Sequence, residues 1–94
     1  MDAERYIEIM SEIVGCAILV LSRVRRIAWA RFMVEYMLLR DGYGTEAAGR
    51  MVGKSHAAAV WARKQVDHML RNPKMYPEEM ALWNEYVKRL NQIK

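Results

Sequence analysis

Several residue types that would set the class of this protein are scarce in its sequence. The single cysteine, Cys16, excludes an internal disulfide and fits a reducing compartment. There are only two prolines, against eight methionines, three tryptophans and five tyrosines, and 53% of the residues are hydrophobic. Such a composition is typical of a folded chain. Because 94 residues suffice for one modest core, we expect residues 1 to 94 to form a single domain.

Long hydrophobic runs are also missing. The longest ones, residues 16 to 21 and 57 to 62, are far shorter than the ~20 residues of a membrane-spanning helix. The acidic N-terminus lacks the basic start of a signal peptide. We therefore expect a soluble, cytoplasmic protein that does not contact membranes.

The net charge of +4 is unevenly distributed along the chain. Residues 1 to 21 carry four acids and one base, and residues 75 to 94 carry three of each. Residues 22 to 74 hold eleven Lys or Arg against four Asp or Glu, a net charge of +7. This asymmetry suggests a polyanionic partner, although a solvated basic surface without a partner would show the same pattern.

Apolar residues recur at helical spacing, and no segment alternates as a β-strand would. The pattern predicts helices over residues 4 to 14, 17 to 21, 27 to 40, 46 to 52, 56 to 70 and 78 to 93. Ser22, Thr45 and Ser55 are the expected N-caps, Gly15 and Gly53 the expected ends, and Pro77 is expected near the last helix's start. The fold class is thus a compact all-α bundle of five to six helices.

The same spacing predicts which side chains face the core. We expect these to be Tyr6, Met10, Ile13, Val14 and Ala17 early in the chain; Ala28, Phe32, Met33, Tyr36, Met37 and Leu39 in the longer helix; Ala59, Ala62, Val66, Met69 and Leu70 after Ser55; and Leu82, Tyr86, Leu90 and Ile93 at the end.

Residues 49 to 62, GRMVGKSHAAAVWA, resemble the end of a nucleotide phosphate loop at Gly53-Lys54-Ser55. The pattern GxxxxGK[ST] would need a glycine where Ala48 stands, and no strand precedes it. This spacing excludes the phosphate loop.

A metal or catalytic site is not indicated either. His56 and His68 are twelve residues apart on one predicted helix, hence about 18 Å apart, and with Cys16 they show no zinc-like spacing. We expect His56 to make a polar contact and His68 to lie on the surface. The sequence therefore predicts no metal, no cofactor and no enzymatic activity.

Small residues before and after residue 53 favour a helix-turn-helix, in which two helices cross closely and the second enters the DNA major groove. The residues concerned are Ala48, Gly49, Gly53, Ala59 and Ala62. In that arrangement Ala57, Ala58 and Trp61 would face the groove. An αα-hairpin packed tightly for stability alone would use the same small residues.

Residues 22 to 70, SRVRRIAWARFMVEYMLLRDGYGTEAAGRMVGKSHAAAVWARKQVDHML, resemble the C-terminal DNA-binding domain (domain IV) of the bacterial replication initiator DnaA. The leading Gly, a turn Gly, the basic residue and the His of that family's IG..FGGRDHTTV-like run have counterparts at Gly49, Gly53, Lys54 and His56. The resemblance implies a Trp-repressor-like fold, here with an added C-terminal helix, that binds double-stranded DNA.

The resemblance also implies roles for particular residues. Arg23 is similar to the family's loop arginine that enters the minor groove, and Arg25 and Arg31 match basic positions near the DNA backbone. Lys54 and His56 match the base-reading turn. Ser55, Ala57 and Ala58 stand where the family has Asp, Thr and Thr, and Trp61 replaces a smaller polar residue. We therefore expect the initiator's recognition sequence to be read poorly, since alanine accepts no hydrogen bond.

The chain has no ATPase domain, so we do not expect it to assemble and melt an origin as a full initiator does. The last helix is expected to cover the core; forming a homodimer or covering Trp61 are the alternatives. A second hypothesis makes the scaffold a protein-interaction module, with Trp61 or Trp83 exposed to a protein partner.

Overall fold

The computed structural model describes residues 2–18, 24–52 and 56–92. Within these ranges the chain forms a short 3-10 helix (Pro73–Met75), no β-strand and five α-helices: α1 (Ala3–Val14), α2 (Arg25–Arg40), α3 (Thr45–Met51), α4 (His56–Arg71) and α5 (Pro77–Asn91). The predicted all-α class is therefore confirmed. The finer prediction, that α3 and α4 form a helix-turn-helix, remains a prediction.

Both ends of α1 follow from local chemistry. The Asp2 side chain accepts a hydrogen bond of 3.0 Å from the backbone N–H of Arg5, which satisfies one of the free donors of the first turn. At the other end Gly15 has φ of 77°, and its N–H donates to the Ser11 carbonyl. Since only glycine adopts this left-handed conformation without cost, the predicted helix end at Gly15 is confirmed.

The start of α2 differs from the prediction. The helix begins at Arg25, two residues earlier than expected, and Val24 occupies the N-cap position without a side-chain hydrogen bond. Ser22, the expected cap, lies outside the described residues, as does most of the helix predicted over residues 17 to 21. Ala17 itself is exposed and not helical, whereas Ile18 is fully buried. The inward orientation predicted for Ala17 is therefore wrong.

The buried face of α2 is also rotated from the predicted one. Of the six residues expected to face the core, only Met33 is buried; Ala28, Phe32, Tyr36, Met37 and Leu39 are half-buried. The buried apolar residues are instead Ile27, Trp29, Ala30, Met33, Val34 and Leu38. The prediction is partly right, because Phe32, Tyr36, Met37 and Leu39 are partly buried against the core. Since α2 is apolar around much of its circumference, periodicity did not single out the most buried side.

The last helix covers the core, as expected. It begins with Pro77 in its first turn and buries Leu82, Trp83, Tyr86 and Leu90. The Tyr86 hydroxyl donates a hydrogen bond of 3.1 Å to the Tyr6 carbonyl of α1, and burial raises the pKa of this phenol. A single hydrophobic core draws on all five helices. None of the described helices combines the length and apolar character that crossing a bilayer requires.

Candidate nucleic-acid interface

Helices α3 and α4 pack against each other, and four of the five small residues of the predicted helix-turn-helix are buried, while Gly53 lies outside the described residues. Ala48 and Gly49 of α3 are buried, and so are Ala59 and Ala62 of α4. Ala48 and Ala59 belong to the central hydrophobic core. Neither alanine extends beyond Cβ, so each lets neighbouring backbone approach closely. Burial of these small residues is consistent with the close α3–α4 packing that the helix-turn-helix prediction requires.

The opposite side of α4 faces solvent. Ala57, Trp61, Lys64 and His68 follow one another at spacings of four, three and four residues, so they share one side of the helix. All four are exposed, and Trp61 keeps 56% of its surface accessible. Helix α5 does not cover Trp61, which was one of the alternatives for the C-terminal helix. The N-terminal half of α4 thus presents small side chains and one indole to solvent.

His56, the first residue of α4, is tied to the start of α3. Its Nδ1 lies 2.6 Å from the Thr45 hydroxyl oxygen, and the two atoms share one hydrogen bond. The polar contact expected for His56 is therefore present. Thr45 was expected to cap α3, but Gly44 holds the N-cap position. The Thr45 side chain instead restrains the ring of His56, a link between the helices that nothing in the spacing of the sequence indicated.

Arg25 lies at the start of α2 and contacts α5. Its Nε donates a hydrogen bond of 2.9 Å to Oε2 of Glu79, and its guanidinium carbon lies 6.0 Å from the centroid of the Trp29 ring. The bond to Arg25 lowers the pKa of the Glu79 carboxyl and raises the pKa of the guanidinium. The Arg25 side chain is nevertheless 64% exposed, so an anion in solvent can reach it.

Arg31 does not lie on the surface where the DNA-binding prediction placed it. It is only 7% exposed, and its Nη1 donates a hydrogen bond of 3.2 Å to the Ile18 carbonyl. The guanidinium therefore helps to hold Ile18 against the core. We exclude Arg31 from the candidate interface because it has almost no surface to offer a phosphate.

Three other candidates, Arg23, Lys54 and Ser55, lie outside the described residues, so their roles stay predictions. Trp83 corrects the prediction of a second aromatic surface: it is buried, with its ring edge-on to Tyr36 at 5.7 Å between centroids. Only Trp61 of the two tryptophans can meet a partner directly.

Two cavities are lined by residues of both α2 and α4. One cavity, of about 230 Å³, is lined by Ala58 and Trp61 together with Ala28, Arg31, Phe32 and Glu35 of α2. The other, of about 280 Å³, is lined by Arg63 and Asp67 together with Tyr36, Leu39 and Arg40. No motif or spacing in the sequence points to Arg40 or Arg63 individually; the only signal is the excess of Lys and Arg in residues 22 to 74.

Exposed bases are concentrated outside α1. Within the described ranges, α2 to α4 and the 3-10 helix expose these cationic side chains: Arg25, Arg26, Arg40, Arg50, Arg63, Lys64, Arg71 and Lys74. In α1 the exposed charges include Glu4, Glu8 and Glu12 against Arg5. The asymmetry of the sequence is therefore an asymmetry between helices, in side chains that are exposed.

The described residues hold no group of three or more His, Cys, Asp or Glu side chains placed to bind a metal. Comparison with known proteins gives no counterpart, since no protein family, curated protein or solved structure matches the chain. The resemblance of residues 22 to 70 to an initiator domain therefore remains a sequence-based prediction.

Proposed function

We propose that this protein binds duplex DNA non-covalently, with α3 and α4 acting as a helix-turn-helix of the Trp-repressor and DnaA domain IV type. The observation that carries the proposal is that one side of α4 is buried while the other side is exposed to solvent. Ala59 and Ala62 lie on its buried side, while its N-terminal turn presents exposed His56 and Ala57 to solvent. A helix that projects a slim, exposed N-terminal turn fits the shape of the major groove.

Charge supports the same proposal. The N-terminus of a helix attracts anions, and the exposed charged side chains of α2 to α4 are mostly arginine and lysine. Arg23 and Lys54 are proposed to contribute minor-groove and phosphate contacts, and Arg25 is proposed to lie at the edge of the surface. Alanine at positions 57 and 58 can contact thymine methyl groups but accepts no hydrogen bond. We therefore propose binding with weak base specificity and without the ATPase activity of a full initiator.

The test is the salt dependence of affinity for a random-sequence duplex, measured by fluorescence anisotropy between about 50 and 200 mM salt. If roughly four to six phosphates are neutralised, log K should fall with log salt at a slope of about −0.9 per phosphate. Arg23→Gln and Lys54→Gln should weaken binding and flatten the slope. Lys88→Gln is the matched control, because Lys88 is exposed on α5, outside the proposed surface.

If the affinity for duplex does not change with salt over this range, or if both variants bind as tightly as the wild type, DNA binding through this surface is contradicted. If instead the affinity depends on salt and both variants weaken it, selection from random oligonucleotides measures any base preference of the protein.

A protein-interaction module is the second candidate, and one observation favours it. Trp61 is more than half exposed beside a cavity that also contains Phe32 and Ala58, and indole side chains are common at the centre of protein interfaces. Light scattering after gel filtration tests the case of a homodimer. A stable dimer that Trp61→Ala dissociates, together with no binding to duplex DNA, would support this candidate over the first.

A further inference from the structure

Two arginines from different helices meet at one cavity. Arg40 ends α2, Arg63 lies in the middle of α4, and both are exposed at the cavity of about 280 Å³. Tyr36 adds a phenol and Asp67 a carboxylate to the same lining. The charged lining therefore has two guanidinium groups and one carboxylate, and its excess positive charge favours an anion.

Neither arginine forms an ion pair with a carboxylate of the described residues, although other arginines do. Arg5 pairs with Glu8 at 3.2 Å, and Arg89 pairs with Glu85, four residues before it, at 3.1 Å. Arg63 also has an acid four residues away, Asp67, yet makes no such pair. The order explains part of the difference, since an acid N-terminal to its base is the better arrangement on a helix. The donors of Arg40 and Arg63 therefore remain available to an external oxyanion.

If α4 enters the major groove as proposed, the position of the cavity relative to its tip favours a backbone phosphate as the source of the oxyanion. His56 and Arg63 are seven residues apart, about two turns, so they lie on the same side of α4 and roughly 10 Å apart along its axis. The major groove is about 8.5 Å deep. If α4 enters the groove with its N-terminus leading, Arg63 reaches the level of the groove's edge, where the phosphates lie.

We propose that the Arg40–Arg63 cavity binds one phosphate of the DNA backbone at the edge of the major groove. Both guanidinium groups donate to its oxygens, a geometry that arginine supplies better than lysine. The inference rests on the proposed DNA binding and adds a contact that the sequence did not indicate. Asp67 opposes the phosphate, so it weakens the contact and makes it dependent on both arginines.

The experiment measures duplex affinity against salt for the Arg40→Gln, Arg63→Gln and double variants. Because the two arginines share one phosphate, the double variant should flatten the slope by about 0.9, and not by twice that amount. Asp67→Asn should act in the opposite direction and tighten binding several-fold, an effect that damage to the fold would not produce. Lys88→Gln serves again as control, and thermal unfolding checks that each variant is folded.

Three outcomes would overturn the inference, and they are distinguishable. If the wild-type protein does not bind duplex DNA, the proposed function fails and this contact fails with it. If it binds but the double variant and Asp67→Asn leave affinity and slope unchanged, only the contact fails. If inorganic phosphate alone saturates NMR shifts at these residues while the DNA slope is unaffected, the cavity is a site for free oxyanions and the backbone contact is wrong.

Discussion

Among the residues that the structure describes, three charged side chains, Arg31, Glu35 and Glu79, are buried although charged residues usually remain in water. Two of them show how the cost of burial is offset: Arg31 donates to a backbone carbonyl, and Glu79 accepts from Arg25. Neither role depends on DNA. At the scale of single residues, a basic position in this chain is therefore not automatically a contact with a polyanion.

The Arg25–Glu79 bond predicts a pH dependence of stability. The pKa of Glu79 in the folded protein is below its ordinary value of 4.5, so the bond stabilises the fold above that pH. This contribution is lost as pH falls through the lowered pKa and the carboxyl is protonated. We expect Glu79→Gln to lower the free energy of unfolding at neutral pH, and the difference from the wild type to shrink in acid. Urea unfolding at several pH values measures it.

Glu78→Gln is the matched control for this prediction. Glu78 lies in the same first turn of α5 and is exposed, so the substitution removes the same charge from the helix N-terminus without removing the Arg25 bond. Equal losses in the two variants would mean that the helix dipole, and not the bond to Arg25, accounts for the effect.

At the scale of elements, the pairing of α3 and α4 is the feature on which the candidate interface depends. Alanine and glycine are the buried residues of α3, and alanine is buried twice in α4, where larger side chains would force neighbouring helices apart. The hydrogen bond between Thr45 and His56 adds a polar link between the first residue of α3 and the first residue of α4. Packing and the polar link together set where the tip of α4 points.

Enlarging the buried side of α4 should therefore be far more harmful than enlarging its exposed side. We expect Ala59→Leu to destabilise the protein by roughly 1–3 kcal/mol, because Ala59 is fully buried in the core and the added carbons have no space. Ala57→Leu adds the same atoms two residues earlier, at an exposed position, and should change stability by less than about 0.5 kcal/mol. Chemical denaturation compares them; equal effects would contradict the assigned faces.

At the scale of the whole molecule, the segment that resembles an initiator domain does not contain its own complete core. Helix α5 lies outside residues 22 to 70, yet it packs against α1 and α2 and buries Leu82, Trp83 and Tyr86. Tyr86 also connects α5 to α1 through the Tyr6 carbonyl. Helices α1 and α5 therefore complete the core, and the candidate interface lies on helices between them in the sequence.

Removing α5 tests this interdependence. Fully burying a large apolar side chain contributes roughly 1.5–3 kcal/mol, and α5 buries four, against a typical total stability of about 5–15 kcal/mol. We expect a chain ending at residue 76 to lose cooperative unfolding, and one ending at residue 92 to keep it. Thermal melts followed by circular dichroism distinguish the two; cooperative unfolding of the shorter chain would show that α1 to α4 suffice.

The sequence alone determined the helical class and the approximate helix bounds, because caps, breaks and periodicity are local. Gly15, Pro77 and the buried face of α4 were predictable for this reason. The tertiary structure decided what no spacing encodes: which side of the broadly apolar α2 is buried, that Arg31 and Trp83 are inside, that Thr45 bonds to His56, and that Arg40 meets Arg63. These depend on how separate helices pack, and packing joins residues that are distant in the chain.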